Sequence, residues 1–273
     1  MTGRDSIFRD PKHQLVDFAF DSSVAEVFPD MIRRSVPAYE TVVPLTGLIA
    51  VRHLAGAMPG RRIRQDAAPE SEPAAPDTDT EPGKSSGSAP PRGLVFDLGC
   101  SLGATTLAVL SQVGDAPLRI VAVDNSKPML ERAAELVDDR RVEFRLQDLR
   151  ATDVSGADVV LMNYVLQFLP PADRQALMSR FRKQMAPGGL LLLSEKIDYA
   201  GAEEQAFFDA THLAFKQANG YSELEVSRKR TALENVMIVD TEEAHLARLQ
   251  TAGFEPVRTW FRCLNWASFV AWA

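Results

Sequence analysis

Beyond residue 92 the chain alternates short apolar runs with amphipathic stretches at a spacing that admits few folds. Leu94–Asp97, Leu118–Asp124, Val142–Leu146, Asp158–Asn163 and Leu190–Ser194 read as strands. The segments around 103–112, 128–138 and 172–186 carry helical periodicity and fill the intervals between them. Strands joined through helices pair in parallel, and near-continuous apolar strands require cover on both faces. The expectation is an α/β protein with a mostly parallel, doubly covered sheet. After it come a helix at Thr241–Thr251, a turn at Gly253 and two aromatic-rich strands, 254–261 and 264–272. Their short connection makes them an antiparallel pair at the sheet's C-terminal edge. A mainly helical insertion, 200–238, lies between the fifth strand and that ending.

Upstream, residues 17–58 are apolar at helical spacing (Val24, Val27, Met31, Ile32, then Val42, Leu45, Ile49, Leu54), punctuated by Pro29 and Pro37. They read as two or three helices, an N-terminal cap spanning 1–60 of the same domain. Between the cap and the first strand, 61–92 forms an acidic Pro/Ala/Ser-rich loop. Its 66–91 stretch has six prolines and no Val, Ile, Leu, Met, Phe, Trp, Tyr or Cys. Such a segment buries too little apolar surface to offset its ordering entropy, so disorder is expected. The remainder, 93–273, is the binding domain.

The net charge of −7 is largely local, because residues 66–91 hold six acids against Lys84 and leave about −2 elsewhere. A chain gripping nucleic acid through phosphates is expected to carry a basic excess, so a small substrate is the better expectation. No apolar run approaches a membrane span, and MTGRDSIFRDPKH lacks a signal peptide's apolar stretch. The expected location is therefore cytoplasmic. Cys100 and Cys263 suggest neither a disulfide framework nor a zinc site.

The chemistry-bearing signal sits where the first strand meets its helix: Asp97-Leu98-Gly99-Cys100-Ser101-Leu102-Gly103, with Asp124 ending the next strand 21 residues after Gly103. A glycine turn at a strand's carboxyl end, followed by an acid placed for a ribose diol, is a nucleotide-type fingerprint. A dinucleotide loop normally reads G-x-G-x-x-G, with its middle glycine approaching a pyrophosphate. Here an acid opens the motif and Ser101 replaces the middle glycine, a pattern that resembles the loop of class I S-adenosylmethionine-dependent methyltransferases. Asp148, in Gln147-Asp148-Leu149 after the third strand, is placed to accept from an adenine amino group. Asn163, ahead of Tyr164 at the mouth of the fourth strand, would face a sulfonium. The plainer alternatives are a turn acid, a strand-end cap and glycines that only permit packing. Asn163 lacks the Pro-Pro-aromatic sequel of amino-methyltransferases acting on nucleic acid. His13, His53, His212 and His245 follow no nucleophile elbow and read as surface or packing residues.

A narrower resemblance covers nearly the whole chain outside 61–92. DSSVAEVFPDMIRRSVPAY (21–39), VFDLGCSLGATTL (95–107), VDNS (123–126), NYVLQFL (163–169), LLLSEK (191–196), FKQANGYSELEVSRKRTALENVM (215–237) and WFRCLNWASFVA (260–271) resemble the carboxy-S-adenosyl-L-methionine synthase family. The resemblance implies a Rossmann-like methyltransferase fold that transfers no methyl group. It implies instead that a carboxyl group passes from prephenate to the methyl carbon of S-adenosylmethionine, releasing phenylpyruvate. The product would then serve a partner tRNA carboxymethyltransferase that makes 5-carboxymethoxyuridine at the wobble position. The family's ligand contacts fall on Tyr39, Gly99, Cys100, Ser101, Asp124, Asn125, Asp148, Leu149, Asn163 and Arg230, with Arg230 and Tyr39 as the catalytic pair. The resemblance further implies a homodimer in which the arginine reaches across the interface. Ala38 stands where a glycine is common, Tyr164 replaces a phenylalanine, and the acidic loop has no counterpart.

The implied chemistry makes the methyl carbon a nucleophile and ends with a new carboxylate there, which the planar fork of Arg230 suits better than a lysine. Prephenate is a dianion, so Arg33, Arg34, Lys229 and Arg230 are candidates for an electropositive entrance. No metal site and no general acid or base are assigned, since holding two ligands in a dry site can carry much of the catalysis. Cys100 has no neighbouring base and is expected to contribute backbone only. A plain small-molecule methyltransferase and a non-enzymatic module presenting the sulfonium compound are the alternatives.

Overall fold

The computed structural model describes residues 3–9, 18–56, 93–233 and 236–273, so the expected 61–92 loop lies outside the described residues. The strands are β1 (Gly93–Leu98), β2 (Leu118–Asp124), β3 (Val142–Leu146), β4 (Val159–Asn163), β5 (Leu190–Asp198), β6 (Asp240–Thr241), β7 (Val257–Cys263) and β8 (Trp266–Trp272). They form one sheet in the order β3-β2-β1-β4-β5-β8-β7, with β6 paired to β5 beside this path. The β3-to-β5 stretch is parallel, while β8 runs antiparallel to both β5 and β7. The C-terminal antiparallel edge expected from sequence is therefore present, with β7 outermost.

Both faces of the inner parallel strands are largely apolar, so neighbouring residues feed opposite cores, while the edge strand β3 alternates Val142, Phe144 and Leu146 with the charged Glu143 and Arg145. Phe96, Leu98, Val160 and Met162 pack with Leu177, Met178 and Phe181 of α5 (Pro171–Gln184) and Leu249 of α8 (Glu242–Thr251). Val95, Ile120, Val159 and Leu161 pack on the other side against α3 (Ala104–Val113) and α2 (Tyr39–Leu54), through Val109, Ala50 and Leu54. Helix starts are locally encoded: Asp21, Ser126 and Thr241 each accept a backbone N–H from the first turn of α1 (Ser22–Ser35), α4 (Lys127–Leu136) and α8.

The two N-terminal helices have different jobs. α1 leans over the carboxyl ends of the strands, whereas α2 begins there and then runs down the sheet as part of its covering layer. Gly47 permits the close approach of α2 to α3, since a Cβ there would stand 2.5 Å from the Ala108 carbonyl. The insertion is the helix pair α6 (Ala202–Ala218) and α7 (Glu223–Leu233). β5 outruns the expected end at Ser194 because its extension pairs with both β8 and β6, as in Lys196↔Trp266 and Ile197↔Asp240. No helix among the described residues is long and apolar enough to cross a membrane.

Candidate functional site

In this strand order β1 lies between β2 and β4, so the connections leaving β1 and β4 diverge at their carboxyl ends. Such a switch point opens a crevice in an open α/β sheet. A cavity of about 1040 Å³ occupies it, roofed by α1 and flanked by α6 and α7. That is the upper end of the roughly 300–1,000 Å³ usual for small-molecule sites. Every one of the ten positions expected to contact ligand lines this cavity.

The β1 turn is built for close backbone packing. Gly99 has φ +71°, and a Cβ there would stand 2.4 Å from Val165; Gly103 has φ +80° and starts α3. The Gly99 and Cys100 N–H groups donate to the Val123 carbonyl at 2.7 and 3.0 Å. Ser101 adopts φ 50°, and its N–H donates to Asp124 Oδ2 at 2.8 Å, while Ser126 N–H donates to Oδ1 at 2.8 Å. Asp124 is thus fixed by the loop it faces, and burial pushes its carboxyl above the ordinary value. Asp97 is fully enclosed; burial raises it to about 6 although Thr106 donates to it at 2.6 Å. Burial and the nearby Asp97 keep the Tyr39 hydroxyl protonated. Burial also holds the Cys100 thiol neutral, which suits a backbone role and leaves no nucleophile there.

Asn163 donates from Nδ2 to Thr105 Oγ1 at 3.0 Å, while its buried Oδ1 has no hydrogen-bond partner among the described residues. An orphaned acceptor on a cavity wall fits a ligand donor. Asp148 accepts the Arg150 N–H at 2.7 Å and Arg150 Nη2 at 2.7 Å; those bonds hold its carboxyl low, and Leu149 beside it is buried. Tyr164 sits at φ 63°, its ring 6.0 Å from Tyr39 and 5.3 Å from Trp266, which completes an aromatic wall. Ala38, where the family resemblance expects glycine, adopts φ 58°. That left-handed backbone explains the glycine preference.

The cation set differs from the expected one. Arg33, Lys229 and Arg230 line the cavity, Arg230 from its own chain, but Arg34 does not. Arg34 is a structural clamp: Nε donates to the Asn219 carbonyl at 2.7 Å, Nη1 pairs with Asp30 at 3.1 Å, and the guanidinium lies 3.8 Å from the Tyr221 ring centroid. Lys196 on β5 and Lys216 on α6 take its place on the wall. Burial pulls Lys216 down to about 8 and Lys229 to about 7, and lowers Lys196. His212, also on the wall, is driven by burial to about 3 and is neutral; its Nε2 meets the Ser35 carbonyl at 2.8 Å. Glu195 has no motif of its own that marks a role in the sequence. It accepts three N–H groups, from Val165 at 3.0 Å, Leu166 at 2.7 Å and Gln167 at 3.1 Å, and so shapes the loop after Asn163. The signal in its sequence context is Glu195-Lys196, two adjacent charges in a strand that opens with four leucines. Among the described residues no cluster of His, Cys, Asp and Glu is arranged to hold a metal.

Residues 95–189 match the model of a methyltransferase domain family. Across the whole chain, the carboxy-S-adenosyl-L-methionine synthase of Shewanella amazonensis is 44% identical, with 98% of each chain covered. The protein of that name from Trichlorobacter lovleyi is 42% identical over 98% of this chain and 97% of its own. Among solved structures, a Nostoc punctiforme protein provisionally called an O-methyltransferase superposes with a TM-score of 0.56 at 16% identity. The match covers 92% of this chain and 59% of the neighbour, a likeness of fold alone.

Proposed function

The chain belongs to the carboxy-S-adenosyl-L-methionine synthase family, and we propose that it converts S-adenosyl-L-methionine and prephenate to carboxy-S-adenosyl-L-methionine and phenylpyruvate. The observation that carries this reading is that one cavity joins the Gly99-Cys100-Ser101 loop to Arg230. An ordinary methyl transfer leaves no new anion at the methyl carbon and has no use for a guanidinium there.

The residues divide the work. The carboxylate of Asp124, pinned by two backbone N–H groups, accepts from a ribose diol; Asp148 accepts from the adenine amino group; the free Oδ1 of Asn163 faces the remaining donor. S-adenosylmethionine supplies a sulfonium that acidifies its methyl group; as prephenate aromatises it gives up its ring carboxyl to that carbon and its ring hydroxyl as hydroxide, which leaves as water with the methyl proton. Arg230 offers two parallel N–H donors to the carboxylate formed on that carbon. Tyr39, held protonated, adds an O–H donor, and the Tyr39–Tyr164–Trp266 wall excludes water, which strengthens both contacts. We assign the product to the supply of a tRNA carboxymethyltransferase acting on the wobble uridine, and the working form to a homodimer.

Mass spectrometry of the small molecule released on denaturing the purified protein tests the reading, with S-adenosylmethionine and prephenate supplied beforehand. The expected species is heavier than S-adenosylmethionine by one CO₂, with phenylpyruvate in equal amount. S-adenosylhomocysteine accompanied by a methylated acceptor would replace this reading with plain methyl transfer.

A further inference from the structure

Lys196 and Lys216 pose a problem that the nucleoside half of the site does not solve. They approach from different elements, β5 and α6, and both side chains line the cavity while only half exposed. Lys196 lowers the proton affinity of Lys216, and Arg230 lowers that of both, so the three cations lie within one field. Neither ammonium has a hydrogen-bond or ion-pair partner among the described residues. Lys229 differs: it donates to Ser35 Oγ at 3.0 Å and meets Asp5 at 3.8 Å. Asp198 and Asp209 face the same wall, but Gln205 Nε2 donates to both, at 3.2 and 3.1 Å, and they act on the lysines only at a distance.

Two desolvated cations without partners are costly in the empty protein, and an anion is the group that relieves the cost. Arg230 is already committed to the carboxylate that is transferred. Prephenate carries a second carboxylate, on its pyruvyl arm, which stays with phenylpyruvate. We propose that Lys196 and Lys216 form a second carboxylate subsite, which grips the pyruvyl carboxylate of the co-substrate and thereby directs its ring carboxylate toward Arg230. This rests on the carboxyl-transfer reading above and assigns the other end of the same substrate. The pair are positioning residues, since they hold the end of the molecule that does not react. His212 beside them is neutral and adds no charge.

The test uses the full chain with S-adenosylmethionine bound, and phenylpyruvate and prephenate as probes. Calorimetric affinity for phenylpyruvate is measured in wild type, Lys196→Gln, Lys216→Gln and Lys216→Arg, with S-adenosylmethionine affinity as the control for folding. The expected result is about tenfold or greater weakening of phenylpyruvate binding in each glutamine variant, the loss of one charge-assisted bond. Lys216→Arg recovers most of it, and S-adenosylmethionine binding changes less than about twofold. In turnover the KM for prephenate rises with the same ranking while kcat moves less. Equal phenylpyruvate affinity in wild type and both glutamine variants overturns the subsite, even if wild type makes the carboxylated product. Charge-dependent phenylpyruvate binding without any carboxylated product would uphold the subsite and remove the carboxyl-transfer reading.

Discussion

Glu195 Oε1 accepts the Leu166 N–H at 2.7 Å, joining the middle of β5 to the turn that follows β4. With Val165 and Gln167 also donating, one buried carboxylate organises the backbone directly after Asn163 and Tyr164. Burial raises it to about 7, so desolvation outweighs what these N–H groups and Arg174 return. The site tolerates that cost in exchange for a fixed loop.

Glu195→Ala is therefore expected to destabilise the chain by about 3 kcal/mol or more, because three N–H groups lose a shared acceptor. S-adenosylmethionine affinity should fall with it, as Asn163 and Tyr164 lose their support. Urea unfolding and calorimetric titration measure the two losses. A variant that binds S-adenosylmethionine as wild type does would show that the loop holds its shape without Glu195.

Asn163→Ala separates binding from stability. Among the described residues only Nδ2 has a partner, Thr105 Oγ1 at 3.0 Å, so the orphaned Oδ1 adds no bond to the empty fold. The expected cost to stability is about 1 kcal/mol or less, against about tenfold or more in S-adenosylmethionine affinity. Equal effects on both would make Asn163 a structural residue of the β4 end.

The parts of this molecule that could be read from sequence are those written in local periodicity. β2 starts and stops where its apolar run does and β3 where its apolar alternation does, and Asp97 to Gly103 announces its turn because glycine and a strand-to-helix change fall together. What escaped depends on distant contacts. β5 continues through Ile197 and Asp198 because β8 and β6 meet it there, which no property of Glu195-Lys196 alone reveals. Arg34 and Lys229 look equivalent in sequence, yet Arg34 is absorbed by Asp30, Asn219 and Tyr221. Lys216 reaches the cavity only through the way α6 folds back. Pairing across the chain, rather than residue type, decided which cations face the ligand.

Arg230→Ala is expected to lower carboxylated product formation by about a hundredfold or more, since a bidentate partner of the new carboxylate is worth roughly 2–3 kcal/mol or more in a desolvated site. S-adenosylmethionine affinity should change only a few-fold, because the nucleoside contacts come from the loops after β1, β2 and β3 rather than from α7. Arg230→Lys restores part of the charge but not the planar fork, so recovery stays incomplete. Rates from product mass spectrometry check this, and full activity in Arg230→Ala would remove the clamp.

The cation wall predicts an inverted stability effect for Lys216→Gln in the ligand-free protein. The folded chain holds Lys216 at about 8, against an ordinary 10.5, and the first cause is burial. Below pH 8 the amine is protonated in both folded and unfolded chains, and the fold bears the full cost of the desolvated charge. Between pH 8 and 10.5 the unfolded chain binds more protons, so wild-type stability from this group rises with pH. Glutamine has no such charge. The variant is expected to be more stable than wild type at pH 7 by about 1–2 kcal/mol, less than the full shift because solvent still reaches the half-exposed amine. Its advantage should shrink as pH climbs through 8 toward 10. Taking the difference between the two proteins cancels titration common to both, such as that of Cys100, while Lys229, whose proton affinity Lys216 lowers, adds a relief of the same sign that also fades as pH rises. Denaturant unfolding at pH 7, 8.5 and 9.5 reads the trend, and an advantage that stays flat or grows with pH would place the Lys216 ammonium in water rather than in the wall.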